Sequence, residues 1–80
     1  MGEQVVKAYV LLTVEIGKEY DIAREIRNLD VNAKIDADVV YGEYDLVIRL
    51  EAENLKAVDK VVTKIRSMPG VLKTVTLIAS

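Results

Sequence analysis

Two strand-like segments flank the run Val40-Tyr41-Gly42-Glu43-Tyr44-Asp45-Leu46. Glycine adopts a positive φ without strain, so Gly42 and Glu43 are predicted to form a hairpin turn. A hairpin forces its flanking segments, here Ala33–Tyr41 and Tyr44–Ala52, to pair as antiparallel strands. This one connection therefore requires a sheet, and it limits the folds that the rest of the chain can join.

Asp45 stands at the start of an apolar strand, where a turn does not require a carboxylate. Backbone N–H groups freed by the Gly42 turn can receive an anion. A carboxylate beside them can pair with an ammonium through a charge-assisted hydrogen bond. The run therefore suits binding of a small zwitterion, although Asp45 could equally cap the turn or pair with a lysine.

Hydrophobic periodicity predicts the other elements of the chain. Residues alternate in the first and last strands, and apolar residues recur at steps of three and four in two helices. Asn54 is a favoured N-cap, and Pro69-Gly70 is a helix stop. The predicted elements are a strand at Val5–Val14 that ends before Gly17, a helix at Lys18–Leu29, a helix from Asn54 to Pro69-Gly70, and a strand at Val71–Ile78.

The order β-α-β-β-α-β is typical of the α+β ferredoxin-like fold. Right-handed crossovers place both helices on one face of a four-stranded antiparallel sheet, with the first and third strands central. Lys34, Asp36 and Asp38 share one face of the second strand, a pattern that protects a sheet edge. A cation site at the two aspartates is the weaker alternative, because no third ligand is evident. We expect one domain over residues 1–80.

The sheet face opposite the helices has no predicted cover. Large uncovered apolar surfaces usually mark an interface, so the sequence predicts a homodimer whose sheets stack face to face. Residues assigned to that face are Tyr9, Leu11, Thr13, Val47, Leu72, Thr74, Thr76 and Ile78. Of these, the predicted dimer contacts are Tyr9, Leu11, Thr13, Val47, Leu72 and Ile78.

Composition excludes several function classes. The chain of 80 residues has no cysteine and no histidine, which removes the usual thiolate, general base and metal ligand. We therefore expect no metal, no cofactor and no catalysis. A net charge of −2 argues against direct binding of nucleic acid. No apolar stretch approaches the ~20 residues of a membrane span, and no leader is evident, so a cytoplasmic location is expected.

Several motifs occur together in one order: Ala8–Val14 with Gly17, Val40-Tyr41-Gly42 before Tyr44-Asp45-Leu46, Met68-Pro69-Gly70-Val71, and Thr74-Val75-Thr76. This combination resembles the ligand-binding and assembly domain, or RAM domain, of Lrp/AsnC transcription regulators. The resemblance covers Val6 to Ile78. Full members of the family carry an N-terminal helix-turn-helix domain, for which there is no room before Val5. A stand-alone form is therefore expected.

The resemblance implies assembly and binding of an effector. RAM domains form sheet-to-sheet dimers that gather into larger rings such as octamers, and an amino-acid effector lies in a cleft between neighbouring dimers. A full-length regulator of the family is a further implied partner, and DNA reading is not implied. The effector contacts that the resemblance implies are Tyr41, Gly42, Glu43, Tyr44, Asp45, Thr74 and Thr76.

Three other functions remain as alternatives. The chain could be an assembly scaffold that binds no metabolite. It could also be a small dimeric enzyme of the same fold, with Tyr and Asp as acid and base, although the missing His and Cys count against this. An RNA-recognition module would need exposed aromatics and a basic sheet, and only Tyr9 qualifies.

Overall fold

The computed structural model describes residues 5–80, and its elements follow the predicted order β-α-β-β-α-β. The chain has the ferredoxin-like fold that the sequence predicts. Its elements are β1 (Val6–Val14), α1 (Glu19–Arg27), β2 (Lys34–Val39), β3 (Leu46–Ala52), α2 (Leu55–Arg66) and β4 (Val71–Ile78).

The sheet has the order β2-β3-β1-β4, and each neighbouring pair is antiparallel. β1 and β3 are therefore central and β2 and β4 are edges, as predicted. One face of β1, formed by Ala8, Val10 and Leu12, is buried in a single core that also holds the buried residues of both helices. Both helices thus cover the same face of the sheet.

The core is entirely apolar among the described residues. α1 contributes Ile22, Ala23 and Ile26 to it, at the spacing of one helical face. Ile65 of α2 and Ile48 of β3 are also completely buried. Each fully buried large aliphatic side chain contributes about 1.5–3 kcal/mol relative to its exposed state. Burial on this face of the sheet therefore provides most of the stabilisation.

The helix ends follow local chemistry. The Asn54 side chain accepts the N–H of Ala57 at 2.8 Å, which confirms the predicted N-cap. α1 is shorter than the predicted Lys18–Leu29 because Leu29 donates its N–H to the carbonyl of Ile26 at 3.2 Å. An i to i+3 bond of this kind tightens and ends a helix.

The β2–β3 connection is longer than the predicted turn at Gly42 and Glu43. β2 ends at Val39 and β3 begins at Leu46, so the loop extends across residues 40–45. The Val40 N–H donates to the Asp45 carbonyl at 2.9 Å and joins the two ends of this loop. The Asp45 N–H instead donates to the carbonyl of Leu12 in β1, at 2.8 Å. In a regular antiparallel strand the N–H and the C=O of one residue both bond to the same neighbouring strand. The N–H and the C=O of Asp45 bond in two different directions, to β1 and to the end of β2, and β3 therefore begins only at Leu46.

The predicted face of β4 is wrong. Thr74, Thr76 and Ile78 pair with Leu12, Val10 and Ala8, respectively, and directly paired residues share a face. These three side chains therefore lie on the helix side of the sheet. Lys73, Val75 and Leu77 occupy the opposite face. Apolar residues occur on both faces of this strand, so its own pattern does not determine which face turns inward.

Leu72 does not follow the alternation of β4 at all. The register shifts between the pairs Thr13–Lys73 and Val14–Val71, which leaves Leu72 as the extra residue of a β-bulge. Its side chain is 63% exposed. The placement of Leu72 in a regular row of the uncovered face is therefore also wrong.

Candidate functional site

The face of the sheet that the helices leave uncovered is called the open face below. At its centre Leu11 pairs with Val47 on one side and Val75 on the other, and Tyr9 pairs with Leu77. We call these five residues the open-face patch. Tyr9 is 40% and Leu77 49% exposed. Adjoining apolar side chains on a solvent-exposed sheet are typical of a contact surface. Thr13 borders the patch, paired with Lys73.

Charged side chains cover the β2 side of the open face. Arg49 Nη2 lies 2.7 Å from Asp36 Oδ2 and 3.6 Å from Asp38 Oδ2. Glu51 pairs across the strands with Lys34 and Lys7. Asp36 and Asp38 thus contact arginine, and their role in protecting the sheet edge stays a prediction. Among residues 5–80, no three potential metal ligands lie together.

A side-chain hydrogen bond joins the β2–β3 loop to β1. Asp45 Oδ2 accepts the N–H of Val14 at 2.9 Å, and Asp45 is half-buried. Val14 lies beyond Leu12, whose pair with Leu46 is the last between β1 and β3. The carboxylate therefore takes the place of a strand partner. This contact is neither the turn cap nor the lysine pair that the sequence suggested for Asp45, and effector binding by Asp45 stays a prediction.

A shallow depression lies beside this bond. It has a volume of about 320 Å³ and brings together three predicted site residues, Tyr41, Gly42 and Asp45. Its other lining residues are Glu19, Tyr20, Val39 and Val40. Tyr41 is 96% exposed. Ligand pockets usually start near ~300 Å³ and enclose most of the ligand. An amino acid would fit, but this depression alone would leave one side of it in water.

The other predicted contacts lie elsewhere. Thr74 and Thr76 line a groove of about 860 Å³ between α2 and β4, which we call the α2–β4 groove. Asp45, Tyr41 and Gly42 are not among its lining residues. Within one chain the structure therefore does not bring the two threonines together with the loop. Glu43 and Tyr44 line neither the groove nor the depression.

Sequence reasoning missed the helical side of the α2–β4 groove. Leu55, Asp59, Val62 and Arg66 line it at successive steps of three and four residues. Leu55 belongs to the apolar residues of α2 but is 60% exposed. The mixed apolar and charged stripe was visible in the sequence. The sequence did not indicate that this stripe would lie beside a strand that the helices cover only in part.

Neither helix of the described chain is long and apolar enough to cross a membrane. The geometry offers contact surfaces: the open-face patch, the loop depression and the α2–β4 groove.

Comparison with known proteins agrees with this description. The sequence profile described as "Lrp/AsnC ligand binding domain" matches residues 7–80. The solved structure of FFRP-DM1 is 39% identical, with a TM-score of 0.83 over 94% of this chain and 99% of that one. A hypothetical protein from Pyrococcus horikoshii is also 39% identical, with a TM-score of 0.83 over 94% of this chain and 89% of that one.

A protein from Thermus thermophilus is 32% identical, with a TM-score of 0.81 over 94% of this chain and 92% of its own. Escherichia coli AsnC shares the fold at 20% identity and a TM-score of 0.78, and this chain spans 52% of its length. No functionally curated protein matches the sequence.

Proposed function

Since the chain belongs to the Lrp/AsnC ligand-binding domain family, a family of regulatory rather than catalytic domains, we propose that it is a non-enzymatic module that self-associates and binds a small amino acid. Occupancy of a site between subunits would be linked to the state of assembly. A full-length regulator of the same family is a further proposed partner, which the module would modulate by co-assembly.

One observation carries the proposal: the open-face patch is apolar and is left uncovered by both helices. Burial of such a surface stabilises a dimer by roughly 25 cal/mol per Å² of apolar area removed from water. A second copy that stacks its own patch on this one is the simplest cover, because a twofold interface brings identical surfaces together. Within the patch, Tyr9, Leu11 and Val47 are proposed dimer contacts, with Thr13 at the border.

The loop depression supports the ligand part of the proposal. Asp45 places a half-buried carboxylate beside Tyr41 and Gly42. One of its oxygens binds Val14, and the carboxylate charge is available to an ammonium group. A neighbouring subunit would close the exposed side of the depression. A ligand held between subunits favours the assembly that forms its site.

The test is a mass measurement by sedimentation at micromolar protein, repeated with each of the twenty amino acids at millimolar concentration, and calorimetry against the same panel. We expect a dimer or larger assembly, and binding of at least one small amino acid that shifts the distribution of masses. A stable monomer under all conditions would overturn the assembly part.

The second candidate is a scaffold that assembles without a metabolite. It is favoured by the Asp45–Val14 bond, which gives the carboxylate a purely structural use. Asp45→Asn distinguishes the two functions, because an amide oxygen can still accept the Val14 N–H while the charge is lost. Under the sensor function this variant loses amino-acid binding and keeps its assembly. If calorimetry detects no heat of binding between the parent protein and any amino acid, the scaffold is the function that remains.

A further inference from the structure

We propose that the loop depression selects an amino acid whose side chain carries a positive charge, such as lysine or arginine. Asp45 binds the α-ammonium group, and Glu19 together with the rings of Tyr20 and Tyr41 binds the cation at the end of the ligand side chain. This inference rests on the proposed function and specifies the ligand of the same site by its charge.

The charges that line the loop depression are all negative. Glu19 and Asp45 carry carboxylates, and the other lining residues are uncharged. A neutral amino acid brings a single ammonium group, so it leaves one of the two carboxylates without an opposite charge. A basic amino acid brings a second cation and pairs both. Complementary charges of this kind determine which ligand a site prefers.

Glu19 is half-buried in the first turn of α1, and among the described residues no lysine or arginine forms an ion pair with it. Its neighbour Lys18 packs elsewhere, with Cγ 3.7 Å from the position that a Cβ on Gly70 would occupy. Asp21, in the same turn, lies 3.9 Å from Arg24. Because a partly desolvated carboxylate gains most from a cation partner, Glu19 is the carboxylate that a basic ligand would pair with.

Two tyrosine rings border the same carboxylate. Tyr20 is 65% exposed and Tyr41 is 96% exposed, and they line the depression from α1 and from the β2–β3 loop. The face of an aromatic ring attracts a lysine ammonium or an arginine guanidinium within about 6 Å of its centre. The rings also cover the apolar stem of a long basic side chain. Glu19 would repel an acidic side chain at the same place.

The loop itself offers donors for the α-carboxylate of the ligand. The N–H groups of Val40 and Asp45 donate to the carbonyls of Asp45 and Leu12. No backbone hydrogen bond of the described loop uses the N–H groups of residues 41–44. Successive free N–H groups in a turn can receive an anion. A ligand that has a carboxylate is therefore favoured over a diamine with the same two positive charges.

Calorimetry on the intact protein tests the selection with four probes. L-Lysine and L-arginine carry the side-chain cation, L-norleucine has the carbon chain of lysine without the terminal ammonium, and cadaverine has both ammonium groups without the carboxylate. We expect lysine or arginine to bind about tenfold more tightly than norleucine and cadaverine, since one charge-assisted hydrogen bond contributes a factor of this size. Cadaverine that binds as tightly as lysine would overturn the assignment to an amino acid.

The result for norleucine separates this inference from the proposed function. If norleucine or another neutral amino acid binds as tightly as lysine, the selection for positive charge is wrong and the amino-acid sensor stands. If none of the twenty amino acids binds, both are wrong.

Substitutions assign the selection to particular residues. In Glu19→Gln the ratio of lysine to norleucine affinity should fall from about ten to about one, because the amide keeps the shape and loses the charge. Glu25→Gln is the matched control, since Glu25 is exposed on the same helix and does not line the depression. Tyr20→Leu should lower the same ratio, whereas Tyr20→Phe, which keeps the ring, should preserve it. A ratio that neither Glu19→Gln nor Tyr20→Leu changes would overturn the proposal.

Discussion

Asp45 accepts the backbone N–H of Val14 through Oδ2 at 2.9 Å, and this bond joins two residues that are 31 positions apart in the chain. It holds the β2–β3 loop against the end of β1, beyond the last paired residues of β1 and β3. The residue proposed to recognise an ammonium group is therefore also the residue that fixes its own loop.

Asp45 has two roles, as hydrogen-bond acceptor for Val14 and as the proposed partner of an ammonium group. Substitutions of Asp45 therefore affect stability and ligand binding differently. Asp45→Ala leaves the Val14 N–H without its acceptor, which costs about 1–3 kcal/mol when such a group is buried. Asp45→Asn keeps an acceptor oxygen, and we expect a smaller loss. Urea denaturation of both variants gives the comparison. Equal destabilisation by Ala and Asn would mean that the charge, and not the hydrogen bond, holds the loop.

A side chain at position 70, in place of Gly70, is predicted to destabilise the fold. Its φ is +98°, and an added Cβ would lie 3.1 Å from Ile22 Cδ1, so Gly70→Ala combines backbone strain with a close contact. We expect a loss of about 1–3 kcal/mol in unfolding free energy, measured by chemical denaturation.

Two controls separate the contributions at Gly70. Gly17 has a φ of +88°, and a Cβ added there would meet nothing within 4 Å, so Gly17→Ala reports the backbone strain alone. Ile22→Val removes Cδ1, and in that background the additional cost of Gly70→Ala should decrease. If the cost is the same in both backgrounds, the contact with Ile22 is not its cause.

The open-face patch predicts the effect of a charge at its centre. Leu11 is paired with both Val47 and Val75, so Leu11→Lys places an ammonium group where apolar residues would stack. We expect the mass in sedimentation to fall, with the far-UV circular dichroism unchanged. Thr63→Lys, on the exposed face of α2, should leave the mass as it is. An unchanged mass for Leu11→Lys would mean that the open-face patch is not the dimer interface.

Arg27 is predicted to keep the β2 edge closed. Arg27→Gln removes the guanidinium from the Ala37 carbonyl and from Asp36, to which its Nε lies at 3.8 Å. Both side chains are substantially exposed, so the loss of unfolding free energy should stay below about 1 kcal/mol. Association should increase instead, because the edge becomes available for pairing.

Light scattering over a concentration series measures the effect of Arg27→Gln. Arg24→Gln is the matched control, since the Arg24 side chain pairs with Asp21 across one turn of the same helix, at 3.9 Å, and not with β2. The same scattering from both variants would indicate that the Arg27 bond has no role at the edge.

Local signals in the sequence accounted for much of the fold. The order of elements, the inward face of β1 and the Asn54 cap all depend on residues within a few positions of one another, and all are confirmed. The family resemblance is confirmed as well, over residues 7–80. The loop residues Tyr41, Gly42 and Asp45 do line one depression, whereas their role as effector contacts stays a prediction.

The sequence by itself determined the set of elements, because periodicity and capping act over a few neighbouring residues. It also determined the central pair of strands, because right-handed crossovers fix the strand order once the elements are known. Tertiary structure alone decided which face of β4 turns inward, since that depends on its register with β1 rather than on its own residues. It likewise decided that Asp45 binds Val14 and that Arg27 closes one edge. Each of these contacts joins separate elements, so neither partner indicates the other before the chain has folded.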